Sequence, residues 1–63
     1  MIRKYRIRGD YVWTYKKNGR QIPASSLKNA ILGIASPSWL YIIEAAGGIS
    51  ELEEVRGWRK FLP

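Results

Sequence analysis

Residues 2–22 read IRKYRIRGDYVWTYKKNGRQI, and the period of this stretch decides the fold. From Ile2 to Arg8, Tyr5 and Ile7 alternate with Lys4, Arg6 and Arg8, the pattern of a strand with one wet, cationic face. Gly9-Asp10 is a turn signal. Tyr11 to Lys16 reads YVWTYK, aromatic and β-branched residues that favour a strand. Asn18-Gly19 is a hairpin signal, because both residues tolerate the positive φ of a type I′ turn. Arg20 to Ile22 adds a short third strand closed by Pro23. The expectation is a three-stranded antiparallel meander over residues 2–22.

The loop of the first hairpin sets which side chains meet solvent. A two-residue loop, Gly9-Asp10, sets Arg8 opposite Tyr11, Arg6 opposite Trp13 and Lys4 opposite Tyr15. One face is then an interleaved arginine and aromatic surface, with Tyr5, Ile7 and Val12 on the core side. A three-residue loop instead puts Tyr5, Ile7, Trp13, Tyr15 and Ile22 on one buried face. Its other face carries Lys4, Arg6, Arg8, Val12, Thr14 and Lys16. A one-residue slip exchanges the faces, and burial ordinarily selects between them. The three-residue loop buries more aromatic area and is favoured on that ground. Both leave Lys4, Arg6 and Arg8 in a row on the outer face.

Beyond Pro23 the period changes to that of helices. Ala24-Ser25-Ser26 offers an N-cap, and Leu27, Ala30, Ile31 and Ile34 form an apolar stripe, predicting a short helix over 24–35. Ser36-Pro37 is a cap followed by proline at the first helical position. Trp39, Ile42, Ile43 and Ala46 line one side of a helix over 37–46, ended by Gly47-Gly48. Ser50 and Glu53 have capping-box spacing and predict a C-terminal helix over 50–62 with Leu52, Val55, Arg59 and Leu62 on one side, while a stop at Gly57 would instead leave Trp58 to fold back on Leu52. The fold class is α+β, a meander followed by two or three short helices packed on one face, in a single domain of 63 residues.

Charge segregates along this plan. The chain carries +6 overall, and residues 1–22 hold all of it, with Arg3, Lys4, Arg6, Arg8, Lys16, Lys17 and Arg20 against Asp10. After residue 22 the signs cancel. A ribbon that concentrates charge in this way is an electrostatic footprint for a polyanion. The 46% hydrophobic content is ordinary for a folded chain and too high for a disordered one. A core this small leaves a stability margin of a few kcal/mol, which homodimerisation would widen.

Several classes of function are unsupported by the residues present. The chain has neither cysteine nor histidine, so disulfides and the usual zinc ligand sets are excluded. One aspartate and four glutamates offer no triad, metal cluster or glycine-rich phosphate loop, so no catalytic residue, metal or cofactor is expected. Glu44, among apolar neighbours, reads as an exposed position or a partner for Lys28. Met1 is followed by alternating charge and not by an apolar run, and Leu27 to Ala46 is broken by Ser36-Pro37-Ser38. The expectation is a chain that is not secreted, has no membrane span, and is cytoplasmic or associated with a nucleoid or virion. Arg8-Gly9-Asp10 spells the cell-adhesion tripeptide but is ordinary turn chemistry.

The function expected is non-enzymatic nucleic-acid binding, with DNA favoured over RNA. Lys4, Arg6, Arg8, Lys16, Lys17 and Arg20 are the expected phosphate contacts, since each phosphate neutralised releases counterions. Arginine adds bidentate grip. Tyr11 and Trp13 are placed against sugar or base, with Tyr11, Trp13 and Tyr15 forming a stacking platform only in the two-residue-loop register. A helix-turn-helix around Gly47-Gly48 is disfavoured, because Glu51, Glu53 and Glu54 would open the helix meeting DNA. Those carboxylates instead suit a basic surface, including the ribbon of another copy. The alternative is an accessory module that binds an acidic protein partner through the ribbon or through Trp39, Tyr41 and Trp58. The order of three strands then helix resembles the small DNA-reading domains of phage-type integrases, with Tyr11 to Tyr15 and Asn18-Gly19-Arg20 similar to their second and third strands. In size and charge the chain is also similar to the basic chromatin proteins of archaea.

Overall fold

Two turns of the same kind organise the N-terminal half. Arg8 and Gly9 have φ of 50° and 77°, and Asn18 and Gly19 have 51° and 76°. Consecutive positive values mark type I′ turns, whose twist follows that of the flanking strands. In the computed structural model, which describes residues 1–62, these turns join β1 (Arg3–Ile7), β2 (Asp10–Lys17) and β3 (Arg20–Ala24). Pro63, the end of the expected domain, lies outside the described residues. Pro23 does not close β3 but sits within it, which an edge strand tolerates. A fourth strand, β4 (Glu53–Val55), pairs antiparallel with the other side of β1, and the sheet order is β3-β2-β1-β4. With α1 (Leu27–Leu32) and α2 (Pro37–Ala45), the architecture is α+β.

The register of the first hairpin matches neither expected loop. Ile7 pairs with Asp10 and Tyr5 with Val12, so the loop is Arg8-Gly9. This differs by two residues from the Gly9-Asp10 arrangement and therefore preserves its faces. Tyr5, Ile7 and Val12 share one side, while Lys4, Arg6, Tyr11, Trp13 and Tyr15 share the other. The register favoured on burial does not form, because its premise is a single buried face, whereas here α2 covers one face and α1 covers the Tyr15 end of the other. Tyr5, Ile7 and Val12 pack with Ile43 of α2, joined by Trp39, Ile42, Ala46, Ile49 and Leu52. On the opposite side Tyr15 and Ala24 pack with Ala30 of α1, joined by Ile2, Trp13 and Ile22. The two helices thus lie on opposite faces of the sheet, not on one.

Arg8 is consequently a turn residue and not the third member of a strand row. An L-residue in the left-handed region costs roughly 1–2 kcal/mol, and asparagine tolerates it better than arginine. Arg8→Asn, which recreates the Asn-Gly pair of the second turn, is expected to stabilise the fold by about 0.5–1 kcal/mol. A thermal melt should move up by several degrees, at about 4–8 °C per kcal/mol. An unchanged or lower midpoint would exclude strain at Arg8.

Both helices start and stop where their caps dictate. The Ser26 hydroxyl accepts from the Asn29 amide at 3.1 Å, and Ser36 accepts from the Trp39 amide at 3.3 Å. The Ser36 amide in turn donates to the Pro23 carbonyl at 2.8 Å, tying the linker to β3. At the end of α2, Gly47 donates to Glu44 and Gly48 to Ile43, a Schellman closure with Gly47 at φ 104°. The apolar stripe expected on the first helix is realised only at Ala30, because Ile31 is 67% exposed and Ile34 is also exposed. None of the described helices is long and apolar enough to cross a membrane.

The C-terminal helix expected over 50–62 does not form. Ile49–Glu51 is a single 3-10 turn, Glu53–Val55 is β4, and Trp58–Phe61 is a second 3-10 turn. A lone helix of that length with Gly57 inside it is marginal. Pairing with β1 offers ladder hydrogen bonds to an edge that is otherwise bare. Two ion pairs reinforce the choice, Arg3 to Glu54 at 3.0 Å and Arg6 to Glu53 at 3.3 Å.

Candidate nucleic-acid interface

The face of the sheet bearing Lys4, Arg6, Tyr11 and Trp13 carries a row of alternating cations and rings. Arg6 stands directly across from Tyr11, and Lys4 directly across from Trp13. Because neighbouring strands bring opposed side chains within about 5.5 Å, each cation lies against a ring. The Arg6 guanidinium is 5.6 Å from the Tyr11 centroid. The Lys4 Nζ is 4.8 Å from Tyr11 and 5.0 Å from Trp13. Each contact is within the range of a cation–π interaction, worth roughly 0.5–1 kcal/mol at an exposed site. They hold two flexible cations against rings, which restricts the places those cations occupy.

The row continues into residues outside the expected set, Trp58 and Arg59. Trp58 does not fold back on Leu52. It packs edge-on against Trp13, with centroids 4.8 Å apart and an interplanar angle of 89°. Arg59 lies 5.3 Å over the Trp58 ring. The order along the face is therefore Arg6, Tyr11, Lys4, Trp13, Trp58, Arg59. No local signal marks Trp58 and Arg59 as members, since they arrive through β4 from the far end of the chain.

The eight residues expected to form one surface divide into groups. Lys4, Arg6, Tyr11 and Trp13 come together, with Tyr11 46% exposed and Trp13 half-buried beneath Trp58. Arg8 adjoins them in the turn. Lys16 points to the opposite side of the sheet, with Thr14 and Val12. Lys17 and Arg20 face each other across the second hairpin, at the other end of β2. Six residues at about 3.3 Å each put Lys17 about 20 Å from Tyr11. Tyr15 does not join a stacking platform, because α1 covers it. Like charges set directly opposite are destabilising, so the Lys17 and Arg20 tip is also a place where an anion would bring relief.

Two of the ribbon's arginines are already partnered. Arg3 is bonded to Glu54 on the α2 side of the sheet, and Arg6 meets Glu53 beside the row. Two of the three carboxylates expected to suit a basic surface, Glu53 and Glu54, thus meet the chain's own ribbon. The Arg6–Glu53 pair is largely exposed, with side chains 52% and 71% accessible, and such pairs are worth about 0.2–1 kcal/mol. It is weak enough for a phosphate to displace. Glu53→Gln, which removes the competing carboxylate, is expected to raise polyanion affinity by roughly two- to fivefold. Equal binding by the variant and the parent would show that Glu53 does not compete for Arg6.

No family model, curated protein or solved structure matches the chain.

Proposed function

We propose that the protein is a small non-enzymatic nucleic-acid-binding protein that docks the Lys4, Arg6, Tyr11 and Trp13 face on the phosphate backbone. The observation that carries the reading is the cation and ring row itself. Exposed cations that serve only solubility need no fixed position, whereas these are held in register by rings across the strand. Lys4, Arg6 and Arg8 contact phosphates, and Tyr11 meets sugar or base. The cations over Tyr11 cover part of its face, which favours backbone contact over extended stacking. Lys17 and Arg20 form a second contact point, and Lys16 lies outside the main surface. DNA is favoured because the chain carries none of the sequence motifs of the common RNA modules. A nucleoid- or virion-associated location follows from this reading.

The test is a tryptophan fluorescence titration with a random-sequence duplex and its single strand, each at two salt concentrations. Binding that weakens steeply with salt is expected, because phosphate contacts release counterions. No binding at low salt would overturn the proposal.

A second reading, an accessory module for an acidic protein partner, draws on Tyr41, which is 76% exposed on α2. Its other expected anchors are engaged within the fold, Trp39 of α2 against the cluster of Tyr5, Ile7 and Val12 and Trp58 on Trp13. That reading predicts binding to one partner and indifference to random DNA.

A further inference from the structure

At the end of the sheet where β1 begins and β4 finishes, a cavity of about 310 Å³ opens beside Trp58. Its volume is at the lower end of the range for small-ligand sites, about 300–1,000 Å³. Arg3, Arg56 and Arg59 line it, against the single carboxylate of Glu54. That carboxylate is held by Arg3 at 3.0 Å. Arg3 and Arg56 flank the Lys4–Val55 pair that ends the ladder between β1 and β4. Arg56 is exposed, and its guanidinium has no hydrogen-bond or ion-pair partner among the described residues. Three guanidinium groups and one carboxylate line the cavity, so its wall carries a net positive charge that favours an anion.

The walls say which anion. Trp58 lines the cavity together with Ile2 and Val55, so an apolar, partly aromatic wall stands next to the cationic one. Trp58 also touches Trp13, which connects the cavity to the row on the sheet face. Phosphate suits paired arginines, through bidentate hydrogen bonds, and a planar base suits an indole ring.

We propose that this cavity is a nucleotide subsite, in which the attached base takes the place of the Arg59 guanidinium over the Trp58 ring while Arg59, displaced, joins Arg56 in gripping the phosphate. In its nucleic-acid form the inference rests on the function proposed above. An unpaired strand leaving the Lys4 and Trp13 row would pass Trp58 and place its next nucleotide here. The same chemistry is carried by a free mononucleotide.

The experiment compares the parent chain with Arg56→Ala/Arg59→Ala and with Lys4→Ala. The probes are a blunt DNA duplex, the same duplex with an unpaired tail, and adenosine 5′-monophosphate, with far-ultraviolet circular dichroism confirming that each variant is folded. The tailed duplex is expected to bind the parent roughly tenfold tighter than the blunt one, given the strength of base stacking on an aromatic ring. That advantage should vanish in the double variant and persist in Lys4→Ala, whose loss falls on both duplexes equally. Blunt and tailed duplexes of equal affinity would overturn the subsite while leaving the ribbon reading intact. An equal loss on both duplexes in the double variant would do the same, since the arginines would then act only as general charge. Mononucleotide binding that needs Arg56 and Arg59, without duplex binding, would support the subsite and overturn the ribbon reading. Binding of none of the probes would overturn both.

Discussion

Duplex affinity near 0.1 M salt is expected to fall by about 10²–10³-fold when Lys4, Arg6 and Arg8 are together replaced by Ala, given a contribution of about 0.9 to the salt slope per phosphate contact. The slope of log K against log salt should flatten by about 2–3 for the same reason. Lys4 and Arg6 are positioned by Tyr11 and Trp13, and Arg8 by the turn, so their removal takes away placed charges and not merely net charge. The matched comparison is Lys16→Ala/Lys17→Ala/Arg20→Ala, which removes an equal charge from the second hairpin. A smaller loss is expected there, because Lys16 faces away from the row and the tip lies at the other end of β2. Equal losses in the two variants would assign binding to the overall field of the protein, and no loss in either would remove the phosphate-binding role. Neither variant should unfold the domain, since Arg6, Arg8, Lys16, Lys17 and Arg20 are exposed and Lys4 is only partly buried.

The largest stability effect is expected at Ile43. This side chain is 3% exposed and joins α2 to Tyr5, Ile7 and Val12 across β1 and β2. Ile43→Ala removes buried methyl groups and leaves a void, at a cost of about 2–5 kcal/mol. In a domain whose whole margin is a few kcal/mol, that loss should abolish or nearly abolish cooperative unfolding at room temperature. Ile31→Ala is the counterpart. Ile31 is equally apolar but lies on the exposed side of α1, so its replacement should change stability by no more than about 0.5 kcal/mol. Chemical denaturation of the two variants checks both claims. Comparable losses would mean that Ile31 is buried in solution, and a mild effect at Ile43 would mean that α2 contributes little to the core.

Those two isoleucines also show how far hydrophobic period carries. Both sit on stripes of helical spacing, and local pattern does not distinguish them. The stripe of α2 finds Tyr5, Ile7 and Val12 opposite it and is covered. The stripe of α1 meets the sheet over one turn, chiefly through Ala30, and its remainder faces outward. Coverage is a property of the opposing surface, so it cannot be read along one segment.

The candidate site was legible to the same degree. The alternation of Lys4 and Arg6 with Tyr5 and Ile7, and the aromatic run from Tyr11 to Tyr15, identify the cationic and aromatic strands. Their relative register depended on whether one or two faces of the sheet are buried. Once α1 covers Tyr15 and Ala24, burying aromatic rings no longer discriminates between faces. The type I′ geometry at Arg8-Gly9 then sets the pairing.

Elements whose signals are local follow from short stretches of the chain alone. Asn18-Gly19 specifies its turn, Ser26 and Ser36-Pro37 start their helices, and Gly47-Gly48 ends the second, because each acts through hydrogen bonds and backbone angles within a few residues. Tertiary structure alone decided the fate of Glu53 to Val55 and the membership of Trp58 and Arg59 in the row. A capping box and a strand partner compete for the same residues, and the partner, β1, lies about fifty positions away with Arg3 and Arg6 waiting for carboxylates. Long-range pairing outweighed local propensity there because a short helix containing Gly57 has little to offer in isolation, whereas an open sheet edge leaves backbone groups without partners.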